Sequence, residues 1–139
     1  MRVMALDVGD RRIGVALSDP TGTIASPLTI VYRVAERKDI EAIRDLAAEH
    51  SVERVVVGLP ITLRGEMGYQ AERVRRFAEH LAEVLPVPVD YWDERHSTVA
   101  AEEIARSRKR ARGRGAREAV DDVAAAVILQ SYLDSIISR

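Results

Sequence analysis

Hydrophobic and polar positions in the first third of the chain predict three β-strands that pair as an antiparallel meander. Three apolar segments are separated by short polar stretches containing Gly, Pro and Asp, residues that favour chain reversal. The predicted strands cover residues 3–6, 13–18 and 24–31. Because hairpin-length connections join strands that run in opposite directions, we expect these three strands to be antiparallel.

The remainder of the chain alternates between the patterns of helices and strands. The helical segments place apolar residues three and four positions apart, and consecutive valines at 55–57 are typical of a strand buried on both faces. The predicted helices cover residues 36–50, 69–85, about 97–106 and 118–137, and the predicted strands cover residues 54–58 and 87–92. Residues 59–68 are expected to form a loop, and Gly58 and Pro60 are typical of the turn that opens it.

A meander followed by strand–helix units indicates an α/β protein. We expect a mixed five-stranded sheet in which an antiparallel three-strand meander is joined to parallel strands, with helices flanking the sheet. The length of 139 residues suits one domain, and neither an internal repeat nor a linker divides it. The sequence therefore predicts a single domain over residues 1–139.

Composition and charge narrow the class of protein. With 47% hydrophobic and 31% charged residues the chain is typical of a globular domain, and a formal net charge of −1 excludes a uniformly basic protein such as a histone. The lack of cysteine excludes disulfides and thiolate metal sites, and the three histidines are too scattered for a zinc site. Since no apolar run approaches the roughly 20 residues of a membrane span, we expect a cytoplasmic protein without a membrane partner.

Candidate catalytic chemistry centres on carboxylates near strand ends. A lone Asp7 would be interpreted as the cap of a turn, but Glu94 follows the fifth strand in the same way. Ligands of open α/β sheets bind beyond the carboxyl ends of the strands, so we expect both acids at one edge. A third carboxylate comes from Asp121 or Asp122 at the start of the last helix, and helical periodicity does not choose between them. Three carboxylates favour Mg²⁺ or Mn²⁺ over zinc.

Four segments resemble motifs of the YqgF/RuvX family. They read LDVGDRRIGVA at 6–16, VGLP at 57–60, DERHST at 93–98 and VDDVAAAVIL at 120–129. The resemblance extends from residue 2 to about residue 133. It implies a ribonuclease H-like fold and a nuclease, described for this family either as a Holliday junction resolvase or as an enzyme that matures pre-16S rRNA. It also implies that the three catalytic and metal-binding acids are Asp7, Glu94 and Asp121.

These acids suit a nuclease that uses two divalent cations. In such enzymes two ions about 3.5–4 Å apart activate a water molecule and stabilise the departing oxygen. We expect Asp7, on the central strand, to contact both ions, and Glu94 and Asp121 to hold one each.

The spacing Asp7-x-Gly9-x₄-Gly14 also resembles the phosphate-binding hairpin of actin-like ATPases and sugar kinases. Those enzymes hold a nucleotide between two domains of this fold, whereas 139 residues supply one. We therefore expect no nucleotide cofactor.

A basic segment directly precedes the third acid. Residues 106–117 carry seven positive charges and no acid. A charge run of this kind is often only a solvated loop, but its place beside Asp121 favours contact with nucleic-acid phosphates. The candidate phosphate-binding residues in it are Arg108, Lys109, Arg110, Arg112 and Arg114.

Three further arginines lie near the predicted carboxylate edge. Arg11 and Arg12 belong to the first hairpin and are candidates for phosphate binding. Arg95 has three interpretations: it orients Glu94, contacts a phosphate, or pairs with Asp93. Because the chain has few aromatic residues, we expect recognition of the backbone and shape of structured RNA or branched DNA rather than base stacking.

Three functions remain open at this point. The first is a nuclease that matures the 5′ end of pre-16S rRNA, and the second is a Holliday junction resolvase. The third is a nucleic-acid-binding factor with little catalysis, for example in transcription. A resolvase would favour a homodimer, because two strands must be cut symmetrically, but the sequence does not distinguish a monomer from a homodimer.

Overall fold

The described part of the chain folds around one mixed β-sheet. The computed structural model describes residues 1–61, 65, 67–96, 102–103 and 123–137. The strands are β1 Val3–Val8, β2 Arg12–Ser18, β3 Ala25–Tyr32, β4 Arg54–Leu59 and β5 Val89–Asp93. They lie in the order β3-β2-β1-β4-β5. β2 pairs in antiparallel fashion with both β1 and β3, whereas β4 pairs in parallel with β1 and β5, so the predicted mixed five-stranded sheet is confirmed.

Helices cover both faces of this sheet. They are α1 Glu36–Glu49, α2 Tyr69–Val84 and α3 Ala124–Ile137. Helices α1 and α2 pack on one face and α3 on the other. The first two were predicted to within one residue, and the start of the last predicted helix, 118–122, lies outside the described residues. None of the described helices combines the length and the apolar character needed to cross a bilayer.

Alternation along β1 assigns each of its side chains to one of two cores. The even-numbered residues of β1 pack in the core that includes α1 and α2, and residues 3 and 5 pack in the core that includes α3. Successive side chains of a strand point to opposite faces, so Asp7 lies on the α3 face. The central strand thus directs its one carboxylate towards the last helix.

The predicted end of the first strand is wrong by two residues. The apolar pattern ends the strand at residue 6, whereas β1 continues through Val8 and Asp7 pairs with Gly14 of β2. A charged side chain interrupts the apolar run without interrupting the backbone ladder, which depends on N–H and C=O groups. Asp7 is therefore held within the central strand rather than in a turn.

Small residues allow α3 to approach the sheet closely. Five alanines contribute to this core: Ala5, Ala16, Ala25, Ala125 and Ala126. At Gly58 of β4 an added Cβ would lie 2.5 Å from Cδ1 of Ile128. No side chain larger than hydrogen fits at that point unless Ile128 moves. The last helix therefore packs close to the sheet at this point.

Buried Gln130 fixes the position of α3 along the sheet. Its Oε1 accepts a hydrogen bond from the N–H of Ala25 at 2.9 Å, and its Nε2 donates to the carbonyl oxygen of Thr23 at 3.0 Å. Gln130 is 1% exposed, so losing these bonds would leave buried polar groups unpaired. The middle of α3 is thereby held at one place above the sheet.

Candidate active site

Asp7 lies at the centre of the sheet, near its carboxyl edge. Strand β1 is flanked by β2 and β4, and Asp7 is half-buried on the α3 face. Its partner across the β1–β2 ladder is Gly14, which has no side chain to occupy the space beside the carboxylate. The central strand therefore presents this acid in a fixed position.

Glu94 reaches the same edge from two strands away. It opens a short 3₁₀ helix, Glu94–His96, directly after β5, and β4 separates β5 from β1. A Cβ added to Gly58 of β4 would lie 3.3 Å from Cγ of Glu94. The Glu94 side chain therefore extends over Gly58, which leaves a path between the two acids.

Gly58 is a positioning residue whose role the sequence did not reveal. Its neighbour Pro60 favours an interpretation as turn chemistry, but Gly58 lies inside β4 and pairs with Trp92 of β5. A glycine within a strand of buried valines is a signal for close approach by another group, and here those groups are Glu94 and Ile128.

The electrostatics of Glu94 show that the two acids interact. The pKa of Glu94 is raised from 4.5 to about 7, first by burial and then by the negative charges of Asp7 and Asp93. Two carboxylates held together in a partly desolvated site disfavour each other's charged form. Because β1, β4 and β5 are parallel, Asp7 and Glu94 lie at the same edge of the sheet, and a cation between them would relieve the repulsion.

Hydrogen bonds of Ser131 hold the Glu94–His96 turn against α3. The Ser131 hydroxyl donates to the carbonyl oxygen of His96 at 2.8 Å and lies 3.2 Å from Nε1 of Trp92, which donates to it. The rings of Trp92 and His96 also meet edge to face, with centroids 5.2 Å apart. Ser131 and His96 thus help to position Glu94, a role that no local sequence pattern indicates.

The donor chemistry of the site fits a hard divalent cation. Carboxylate oxygens are the ligands that Mg²⁺ and Mn²⁺ prefer. Among the described residues no group of three or more potential metal ligands occurs. Both candidates for the third acid, Asp121 and Asp122, lie outside the described residues, immediately before the segment that enters α3.

Arg95 pairs with Asp93, one of the three interpretations that the sequence left open. Its backbone N–H donates to Oδ1 of Asp93 at 2.9 Å, and its Nε lies 2.9 Å from Oδ2. The pKa of Asp93 is lowered by this hydrogen bonding, against the effect of burial. Contact of Arg95 with a phosphate stays a prediction.

The other predicted phosphate-binding residues fall into two groups. Arg11 and Arg12 are exposed at the β1–β2 hairpin, at the same edge of the sheet as Asp7. The basic segment, with Arg108, Lys109, Arg110, Arg112 and Arg114, lies outside the described residues. The role of both groups stays a prediction.

Replacing Glu94 by Gln should change how the stability of the metal-free protein depends on pH. Because the folded-state pKa is raised, protonated Glu94 contributes stability that is complete below about pH 4.5 and is lost as the pH rises through about 7. Glu94→Gln avoids this loss, so above pH 8 its free energy of unfolding should exceed that of the wild type by about 1–2 kcal/mol. The full 1.36 kcal/mol per pKa unit is not expected, since solvent screens a partly exposed carboxylate.

Urea denaturation in EDTA at pH 5 and pH 8 measures this difference. Glu72→Gln is the matched control, because the pKa of Glu72 is lowered by its hydrogen bond to Arg75 and its removal should give no gain at high pH. An equal difference between Glu94→Gln and wild type at both pH values would contradict the raised pKa of Glu94.

Comparison with known proteins gives relatives that match nearly the whole chain. A protein from Thermoanaerobacter pseudethanolicus, named "Putative pre-16S rRNA nuclease", is 44% identical over 135 residues, which is 97% of each chain. A protein of the same name from Desulforamulus reducens is 47% identical over 135 residues, covering 97% of this chain and 98% of the relative.

A solved structure and a family model agree with these relatives. The chain resembles RuvC of T. thermophilus, solved in complex with a Holliday junction substrate, with a TM-score of 0.64, 16% identity, and coverage of 99% of this chain and 96% of that one. This likeness confirms the ribonuclease H-like fold. The family model described as "RuvX: Holliday junction resolvase" matches residues 1–135. With the identities of its relatives, that match shows that the chain belongs to the RuvX family.

Proposed function

We propose that this protein is a metal-dependent nuclease that hydrolyses phosphodiester bonds in structured nucleic acid. The observation that carries the proposal is the meeting of Asp7 and Glu94 at the carboxyl edge of the sheet, where their charges interact. Membership of a family described as resolvases and relatives named as nucleases support the same reaction.

The proposed metal ligands are the carboxylates of Asp7, Glu94 and Asp121. Two divalent cations, Mg²⁺ or Mn²⁺, would be held there, and Asp7 would serve as a ligand of both. When bound, such ions activate a water molecule and stabilise the negative charge on the leaving oxygen. The choice of Asp121 over Asp122 rests on the resemblance of residues 120–129 to the family motif.

The remaining site residues act by holding these carboxylates in place. Gly58 leaves the path along which Glu94 extends, and Ser131 ties the Glu94–His96 turn to α3. The backbone ladder holds Asp7. Catalytic groups positioned in this way need little reorganisation when the substrate arrives.

We propose the 5′ end of pre-16S rRNA as the physiological substrate, cleaved in the cytoplasm by a single domain spanning residues 1–139. This choice is supported by relatives 44% and 47% identical that carry the pre-16S rRNA nuclease name. The second candidate is Holliday junction resolution, favoured by the family description. A resolvase requires two sites related by a two-fold axis, and hence a homodimer in place of a monomer.

Asp7→Asn should abolish cleavage while leaving the fold intact. Loss of a metal ligand should reduce cleavage by more than the roughly 10–100-fold that loss of an outer-shell partner costs. The variant should also melt at a higher temperature than the wild type without metal, because one of two repelling charges is removed. The measurement is cleavage of a pre-16S rRNA fragment and a four-way DNA junction, side by side, with Mg²⁺ and with Mn²⁺.

Asp122→Asn is the matched control and should cleave at nearly the wild-type rate. Unchanged cleavage by purified Asp7→Asn would overturn the mechanism. Complete loss in Asp122→Asn with an active Asp121→Asn would show that Asp122 is the third ligand. Cleavage of the junction alone would favour the resolvase over the rRNA nuclease.

We also propose that the basic segment 106–117 binds substrate phosphates. Replacing Arg108, Arg110 and Arg112 together by Gln should flatten the plot of log affinity against log salt by about 2–3 units, since each contact contributes about 0.7 on single strands and 0.9 on duplex DNA. Fluorescence anisotropy in Ca²⁺, where cleavage does not interfere, measures this slope. The control is Arg44→Gln on α1. An unchanged slope and affinity would show that the segment is only a solvated loop.

A further inference from the structure

A cavity opens at the carboxyl edge of the sheet on the face opposite the two acids. It has a volume of about 260 Å³ and lies between the β1–β2 hairpin, the start of α1 and α2. Its apolar wall includes Val8, Val74 and Phe77, and its basic wall includes Arg33, Arg73, Arg76 and His80. None of these basic residues belongs to the site described above.

Arg33 is held in a fixed orientation within this cavity. Its Nε donates to Oδ2 of Asp39 at 3.2 Å, its Nη1 donates to the carbonyl oxygen of Gly9 at 3.0 Å, and its guanidinium lies 4.8 Å from the ring centroid of Phe77. These contacts use Nε and Nη1, and among the described residues Nη2 has no hydrogen-bond partner. A guanidinium held in this way is a preorganised donor for an anionic oxygen.

Arg73 and Arg76 supply positive charge from α2. Arg73 is exposed, with Nη1 3.1 Å from Oδ1 of Asp10, and Arg76 is exposed and forms no ion pair with any described residue. The second acid of the cavity, Glu36, lies 2.6 Å from Nδ1 of His80. Asp10 and Glu36 are therefore paired with Arg73 and His80, and Arg33 is paired with Asp39. Arg76 is thus the cavity arginine that forms no ion pair with a described residue.

The position of the cavity relative to Asp7 indicates which anion it receives. Val8, Gly9 and Asp10 line it, and they follow Asp7 directly in the chain. Two extended residues span about 7 Å, and successive nucleotides of a strand rise about 3.4 Å. A strand cleaved at Asp7 that crosses the β1–β2 hairpin would thus bring a neighbouring phosphate to the cavity within a few nucleotides.

We propose that this cavity is a second phosphate subsite, in which Arg33, Arg73 and Arg76 bind a backbone phosphate of the substrate strand a few nucleotides from the scissile bond. The inference rests on the proposed nuclease function and adds to it a binding site on the opposite face of the sheet. The bound phosphate fixes the path of the strand over the hairpin and carries no sequence information.

The test compares Arg76→Gln and the double variant Arg73→Gln/Arg76→Gln with Arg75→Gln. Arg75 lies on the same helix outside the cavity and pairs with Glu72 and Glu79, so its variant loses the same charge without the subsite. Arg33 is left intact because its loss would unpair buried Asp39. The probes are a fluorescent four-way DNA junction and a stem-loop fragment of pre-16S rRNA, bound in Ca²⁺.

Each arginine that contacts a phosphate should contribute a salt slope of about 0.7–0.9, which corresponds to about fivefold to eightfold in affinity between 1 M and 0.1 M salt. For each arginine removed, the cavity variants should lose this salt-dependent gain in affinity, and the slope of log affinity against log salt should fall by about 0.7–0.9. Their cleavage should fall more at low substrate concentration than at saturation. Arg75→Gln should bind like the wild type.

Cavity variants that bind both probes with the same affinity as Arg75→Gln would overturn the inference. If the wild-type protein nevertheless cleaves the substrates, the nuclease proposal still stands. If the wild type binds the probes more tightly than the cavity variants do but never cleaves them, the nuclease proposal alone would be overturned. The last arm tests inorganic phosphate by its effect on the melting temperature. Stabilisation that depends on Arg76, together with unchanged binding of nucleic acid, would assign the cavity to free phosphate and overturn the strand assignment.

Discussion

Helix α3 packs closely on the sheet because Gly58 and a group of alanines leave room for it, and the geometry of the candidate site depends on that contact. Ile128 occupies the space above Gly58, while Ser131 of the same helix ties down the turn that begins with Glu94. Glu94 then extends over Gly58 towards Asp7. A larger side chain at Gly58 would compete with Ile128 and Glu94 together, so packing and chemistry share one position in the chain.

The structure divides two kinds of charge between the two faces of one sheet edge. The carboxylates of Asp7 and Glu94 lie on the α3 face, where partial burial and mutual repulsion favour a bound cation. The arginine-lined cavity lies on the α1 and α2 face, and the β1–β2 hairpin separates the two regions. Under the proposed function, a polyanion crossing that hairpin would meet cations on both sides of it: the proposed metal ions on one and guanidinium groups on the other. This arrangement suits a substrate recognised by its backbone rather than by its bases.

Patterns that depend on neighbours in the chain predicted most of the fold, whereas contacts between distant segments did not follow from them. The valines of β4 and the helical periodicity of α1 and α2 predicted those elements well. The apolar run of the first strand ends at residue 6 because a charge follows, although the backbone ladder continues through Asp7 and Val8. The role of Gly58 depends on Glu94 and on Ile128 of α3, and the cavity combines Arg33 with two arginines of α2; these residues are far apart in the chain. Asp121 comes from resemblance to the family, since periodicity treats it and its neighbour alike.

The account depends most on the claim that Asp7 and Glu94 share a metal site. Anomalous diffraction from crystals grown with Mn²⁺ tests it directly, because it locates the ion without reference to activity. The strongest anomalous density should lie within coordination distance of carboxylate oxygens from both Asp7 and Glu94. Mn²⁺ bound only elsewhere, with these two carboxylates free of metal at neutral or higher pH, would contradict the account.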